Sequence, residues 1–122
     1  MKLRFRGSSL RLRLTRQEVL ALGAGEPVEE VVSFTPTEKL VYVLECGGDA
    51  VDASFREGCV TVRVPAATAA DWSWSDRVGI EAEQVVEPGI VLKILIEKDF
   101  ACLTTREGES DDDAFPNPNE SC

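Results

Sequence analysis

The chain of 122 residues contains no histidine. This absence removes the commonest general base, the commonest side-chain metal ligand and every catalytic triad that contains histidine. An enzyme built on this chain would have to use carboxylates, cysteine, lysine, tyrosine or arginine. Because no catalytic motif of that kind is present, the sequence favours a protein that is not an enzyme.

Long apolar runs are also absent. No stretch approaches the roughly 18 apolar residues of a membrane span, and the start Met1–Arg6 lacks the apolar core of a secretory signal. We therefore predict a cytoplasmic protein with no membrane partner. The cysteines at 46, 59, 102 and 122 contain no C-x-x-C pair, which favours free thiols over zinc or disulfides.

Charge is strongly segregated along the chain, although the net charge is -9. The first sixteen residues contain no acid and six bases: Lys2, Arg4, Arg6, Arg11, Arg13 and Arg16. The last sixteen contain no base and six acids: Glu107, Glu109, Asp111, Asp112, Asp113 and Glu120. A net negative charge repels nucleic acid and anionic lipid at long range, so nucleic-acid binding is not expected.

Alternation of apolar and charged residues predicts a hairpin at the start of the chain. A two-residue turn at Gly7-Ser8 would pair Phe5 with Leu10, and Arg4 with Arg11. All leucines would then share one face. The opposite face would hold Lys2, Arg4, Arg11 and Arg13, and we call these four residues the arginine face.

Similar patterns predict the remaining elements. Thr15-Arg16-Gln17-Glu18 is a capping box before a short helix, and Pro65 begins a second one. Strands are expected over residues 28–34, 40–46, 51–55, 60–64, 78–86 and 90–98, the last at the centre of the sheet. The expected fold is α+β and mostly β. It is an antiparallel sheet of about six to eight strands with two short helices, and curling into a small barrel is one alternative.

One compact domain is predicted over residues 1–103, followed by an acidic C-terminal tail over residues 104–122 rich in Gly, Ser, Asp, Pro and Asn. No tandem repeat is evident, and the hairpins recur without similarity in sequence.

The opening Lys2-Leu3-Arg4-Phe5-Arg6-Gly7-Ser8-Ser9-Leu10-Arg11-Leu12-Arg13-Leu14, the run Glu97–Leu103 and the closing Phe115-Pro116-Asn117-Pro118 have a distinctive pattern. Together they resemble a family of small uncharacterised bacterial proteins known as a domain of unknown function. The resemblance spans nearly the whole chain. It implies a single complete domain from a bacterium, but no activity, substrate, cofactor or catalytic residue.

The arginine face is the main candidate site, because guanidinium groups bind carboxylates and phosphates in a bidentate manner. Three alternatives remain: a solvated face, closure by the protein's own tail, or an external anion or acidic partner. Closure by the tail would use Asp111, Asp112 and Asp113, with Phe115 as an apolar anchor. The favoured function is a non-enzymatic binding or interaction module.

Two further alternatives stay open. The arginine face could belong to an enzyme or a protein that binds a small anion. Cys102 with the tail carboxylates could form a weak metal site, but the tail lacks the spacing of an EF-hand. We therefore predict no catalytic residue, no metal and no cofactor.

Overall fold

The computed structural model describes residues 1–100 and Phe115. The described elements are, in chain order, β1 (Lys2–Arg6), β2 (Ser9–Leu14), α1 (Arg16–Gly23), β3 (Val28–Ser33), β4 (Lys39–Cys46), β5 (Asp52–Arg56), β6 (Cys59–Val64), α2 (Ala66–Trp74), β7 (Gly79–Glu87) and β8 (Ile90–Lys98). The predicted α+β class, eight strands and two helices are confirmed for these residues.

The strands form two mixed sheets of four, and the prediction of one antiparallel sheet is wrong. Sheet A has the order β1-β2-β8-β7 and sheet B the order β3-β4-β6-β5. Hairpins supply the antiparallel pairs, whereas β2 with β8 and β4 with β6 are parallel. The described strands do not close into a barrel. Alternation of apolar and polar residues along the sequence predicts each hairpin, but it does not show which hairpins pair with each other. The parallel pairs join strands of different hairpins, and they were missed for this reason.

The register predicted for the first hairpin is confirmed, since Phe5 faces Leu10 and Arg4 faces Arg11. In later hairpins, Phe55 faces Val60 and Ala82 faces Ile94. Gly7 has a φ of 54°, as the first position of a type II′ turn requires. The capping box of Thr15 and Glu18 is present, and β8 lies between β2 and β7 as expected of an apolar strand.

The fold is an internal duplication, so the prediction that the chain has no repeat is wrong at the level of structure. Each half runs hairpin, helix, hairpin, and the first hairpin of one half pairs with the second hairpin of the other. Loop contacts repeat as well. The amides of Lys93 and Val41 donate to the carbonyls of Ser8 and Gly58, each at 2.9 Å. The first half is residues 1–49 and the second 50–100.

One hydrophobic core lies between the inward faces of both sheets. Its strand residues come from six strands and are Leu10, Leu12, Leu14, Val28, Leu44, Val60, Val62, Val64, Ile80, Ile94 and Ile96. The helices follow β2 and β6, pack on each other and cover one end of the core with Val19, Leu22, Ala69 and Trp72. Trp72 is fully buried, and its indole Nε1 donates to the carbonyl of Val78 at 3.2 Å.

Two polar contacts link the edges of the sheets. On one side, the side-chain amide of Gln84 on β7 exchanges two hydrogen bonds with the backbone of Ala53 on β5, at 2.7 and 2.9 Å. On the other side, the amino group of Met1 contacts Glu18 at 2.6 Å and Glu30 on β3 at 3.0 Å. Side chains at the two edges therefore provide hydrogen-bond partners for polar groups that the apolar core cannot pair, namely the backbone of Ala53 and the amino terminus.

The two helices meet at a glycine. A Cβ atom added at Gly23 would lie 2.2 Å from the Oγ and 2.4 Å from the Cβ of Ser73, its counterpart at the same position of α2. Glycine is therefore needed at position 23 for close approach and not for an unusual backbone angle. The Oγ of Ser73 is buried and has no hydrogen-bond partner among the described residues.

We expect Gly23→Ala to destabilise the protein by about 1–3 kcal/mol, because the new methyl group overpacks against Ser73. Adding Ser73→Gly should restore most of this loss. Urea denaturation of the two single variants and the double variant measures the coupling between the positions. Additive effects of the two substitutions would contradict the contact.

The amino group of Met1 predicts a pH dependence of stability. Burial lowers its pKa, but the hydrogen bonds to Glu18 and Glu30 outweigh this, and the net pKa is raised from 8.0. The contact of the protonated amino group therefore contributes fully to the free energy of unfolding below pH 8. This contribution is lost as the pH rises through the raised pKa. Thermal denaturation from pH 7 to pH 9.5 should show falling stability that is absent after N-terminal acetylation. A flat profile would contradict the contact.

Candidate anion-binding face

The structure brings together the four predicted residues of the arginine face. Strand β2 buries Leu10, Leu12 and Leu14, so Arg11 and Arg13 point away from the core. The register Lys2↔Arg13 and Arg4↔Arg11 places the other two beside them. The prediction that these side chains share one face of the hairpin is confirmed by this register.

The parallel pairing of β2 with β8 adds carboxylates that the sequence analysis did not place here. Arg13 faces Glu97 across the sheet, and its Nε lies 2.5 Å from Glu97 Oε1. The Nε of Arg11 lies 3.7 Å from the same oxygen, and the Nζ of Lys2 lies 3.5 Å from Asp99 Oδ2. Part of the negative counterpart is therefore built into β8 and the residue that follows it.

The charges form a gradient across the outer side of sheet A. Cations lie on β1 and β2, and carboxylates lie on the opposite edge strand β7, with Lys93 and Glu97 on β8 between them. By register, the outward charged side chains are Lys2, Arg4, Arg6, Arg11, Arg13, Lys93, Glu81, Glu83 and Glu97. Cations outnumber carboxylates on this side of a protein whose net charge is -9.

A shallow depression of about 720 Å³ lies on this side of sheet A, with Arg11 and Lys93 at one wall and Glu81 and Glu83 at the other. This depression does not suit a multivalent anion such as a nucleotide phosphate, because its two carboxylates would repel the anion and offset the attraction of its two cations.

Sheet B provides an internal comparison, since its strands repeat those of sheet A. One ion pair is kept: Arg63 faces Glu45 as Arg13 faces Glu97, with 3.5 Å between Arg63 Nε and Glu45 Oε2. The other three cations of the arginine face are not kept. Asp52, Ser54 and Thr61 occupy the positions of Lys2, Arg4 and Arg11. The fold therefore does not require these three cations.

The two equivalent ion pairs differ in exposure. The side chains of Arg13 and Glu97 are 16% and 19% exposed, whereas those of Arg63 and Glu45 are 53% and 38% exposed. The pair on sheet A is thus a partly buried contact, in which loss of one partner is costly.

The predicted tail residues have a different status. Asp111, Asp112 and Asp113, together with Cys102 and Cys122, lie outside the described residues. Phe115 is described and is 95% exposed. Among the described residues, no group of three or more His, Cys, Asp or Glu side chains is arranged to hold a metal ion.

The described thiols show no reactive setting. Cys46 lies 3.4 Å from the carbonyl oxygen of Leu22, and burial together with the nearby Glu45 raises its pKa. A raised pKa lowers the thiolate fraction at neutral pH, and the thiolate is the nucleophile and metal ligand. Cys46 is therefore placed as a packing residue beneath α1.

Comparison with known proteins gives a family without a function. Residues 1–119 match the family described as a family of unknown function, DUF7009. The chain belongs to this family. No curated protein and no solved structure matches it. The DUF7009 match agrees with the resemblance in the opening and closing motifs at the level of an uncharacterised domain. Neither helix within the described part of this DUF7009 chain is long and apolar enough to cross a membrane.

The two ion pairs give a matched prediction. Glu97→Gln should destabilise the protein by about 1–3 kcal/mol, because Arg11 and Arg13 lose a partly buried carboxylate. Glu45→Gln, at the equivalent position of sheet B, should cost below about 1 kcal/mol because that pair is exposed. Urea denaturation at low salt measures both. Equal losses at the two positions would contradict the difference between the sheets.

Proposed function

We propose that this domain is a non-enzymatic binding module whose arginine face binds a carboxylate-rich polypeptide segment. The protein's own acidic C-terminal segment is the resident occupant, and an external acidic partner competes with it. One observation carries the proposal: sheet B folds with Asp52, Ser54 and Thr61 where sheet A has Lys2, Arg4 and Arg11. Because the equivalent sheet forms with other residues at these positions, we assign the three cations a role in binding.

Electrostatics supports a carboxylate ligand. Arg4 and Arg11 face each other directly across β1 and β2, and like charges in that position are destabilising. The contact of Glu97 with Arg11 offsets part of this repulsion. The C-terminal segment contains the run Asp111-Asp112-Asp113. Carboxylates of such a run can accept bidentate hydrogen bonds from guanidinium groups, which also offsets repulsion between like charges.

Position in the fold supports the same ligand. Strand β8 ends at Lys98, and the amide of Asp99 donates to the carbonyl of Leu14 at 2.9 Å. The C-terminal segment therefore starts beside the end of β2, next to Lys2. Tethering so close to the arginine face raises the effective concentration of the acids there.

The test grafts the residues of sheet B onto sheet A. We expect the double variant Arg4→Ser, Arg11→Thr to lose most of the dependence of the melting temperature on NaCl concentration, because salt screens the contact that it removes. Deletion of residues 104–122 should have the same effect. Arg56→Ser on β5 removes one cation from sheet B and is the matched control, which should keep the dependence.

An unchanged salt dependence in both the double variant and the truncated chain would contradict the proposal. A thermal-shift screen with phosphate, nucleotides and carboxylic acids addresses the alternative of a small-anion site. Saturable stabilisation that Arg11→Ala removes would favour that alternative over a polypeptide ligand.

A further inference from the structure

A second candidate site lies at the end of the core opposite the helices. A cleft of about 380 Å³ opens there between the two sheets. Six of its lining residues form three equivalent pairs from the two halves, Phe5 with Phe55, Leu10 with Val60 and Leu40 with Leu92, and Ala53 and Ser54 complete the lining. The cleft therefore lies where the two halves of the duplication meet, and its volume is within the usual range for ligand sites.

The mouth of the cleft exposes unusually large apolar groups. Phe5 is 57% exposed and Phe55 is 69% exposed, although both lie on the core side of their hairpins. Two phenylalanine rings at one opening are an apolar patch of the kind that marks an interaction site. The walls are almost wholly apolar, so the expected occupant is an apolar or aromatic group.

The chain itself contains a group of that kind. Phe115 is 95% exposed and is followed by Pro116, Asn117 and Pro118. The two prolines restrict the backbone, so less conformational entropy is lost on binding. An aromatic ring that leaves water for an apolar cleft also gains substantial hydrophobic stabilisation.

Charge connects this cleft to the arginine face. Strand β1 presents Phe5 to the cleft and Arg4 to the opposite side. In the C-terminal segment, Asp113 precedes Phe115 by two residues, which span about 7 Å. A segment with its ring in the cleft would therefore place its aspartates at the margin of the arginine face.

We propose that Phe115 of one chain binds in the cleft of a second copy, so that two molecules exchange their C-terminal segments. A second copy is chosen over the same chain because Phe115 is 95% exposed in the single chain and so does not fill its own cleft. In the exchanged pair, the C-terminal segment on each arginine face then comes from the partner copy. The fourteen residues between Phe100 and Phe115 span up to about 50 Å, enough to reach a neighbour. The placement of the aspartates rests on the proposed function of the arginine face.

Sedimentation equilibrium of the full chain over a range of concentrations tests the exchange. The wild-type mass should rise toward about twice that of the monomer, while Phe115→Ala and Phe55→Ser should stay monomeric. Phe34→Ser is the matched control. Phe34 is 70% exposed on the turn between β3 and β4 but does not line the cleft, so this variant should still associate. A monomeric wild type, or equal dissociation of Phe34→Ser and Phe55→Ser, would overturn the proposal.

A mixing experiment separates a second copy from the same chain. Unlabelled wild-type protein added to ¹⁵N-labelled Phe115→Ala should shift the amide signals of Leu40 and Leu92 in a saturable manner. If those signals already differ between monomeric wild type and Phe115→Ala at every dilution, the chain fills its own cleft and exchange is wrong. If association fails while Arg4 and Arg11 still set the salt dependence, the exchange is wrong and the proposed function stands.

Discussion

The structure depends on two parallel strand pairs, β2 with β8 and β6 with β4. Each pair joins the first hairpin of one half to the second hairpin of the other, so neither half can complete a sheet alone. These central strands supply most of the buried side chains of the core. Both halves must pair with each other in this way, so the helices and the loop contacts occur once in each half. The two helices meet at equivalent positions, Gly23 and Ser73.

The duplication also separates residues that recur in both sheets from residues that occur in one sheet alone. The ion pair of Arg13 with Glu97 recurs as Arg63 with Glu45, which is typical of a structural role. Lys2, Arg4 and Arg11 have no cationic counterpart on β5 and β6. Asp99 is equivalent to Gly47 of the other half, because their backbone amides donate to the carbonyls of Leu14 and Val64 at the ends of β2 and β6. The carboxylate of Asp99 therefore has no counterpart at Gly47. The cationic patch is thus an addition to one sheet.

Much of the local structure could be predicted from the sequence. Alternation of leucine and arginine, the turn at Gly7 and the capping box of Thr15 depend on neighbouring residues, and all three were predicted. Pairing between β2 and β8 depends on residues about eighty positions apart, and no local pattern reports it. The role of Glu97 was missed for that reason. The constant spacing of Phe5 with Phe55, Arg6 with Arg56 and Arg13 with Arg63 was a usable signal of the duplication.

The central claim is that the cations of sheet A bind the acidic C-terminal segment. Side-chain NMR of the arginine Nε–H groups in the full chain tests it most directly, with Asp111, Asp112 and Asp113 replaced together by asparagine. The account predicts that the Arg4 and Arg11 signals move in this variant, while those of Arg56 and Arg63 on sheet B do not. Identical Arg4 and Arg11 signals before and after the replacement would contradict it.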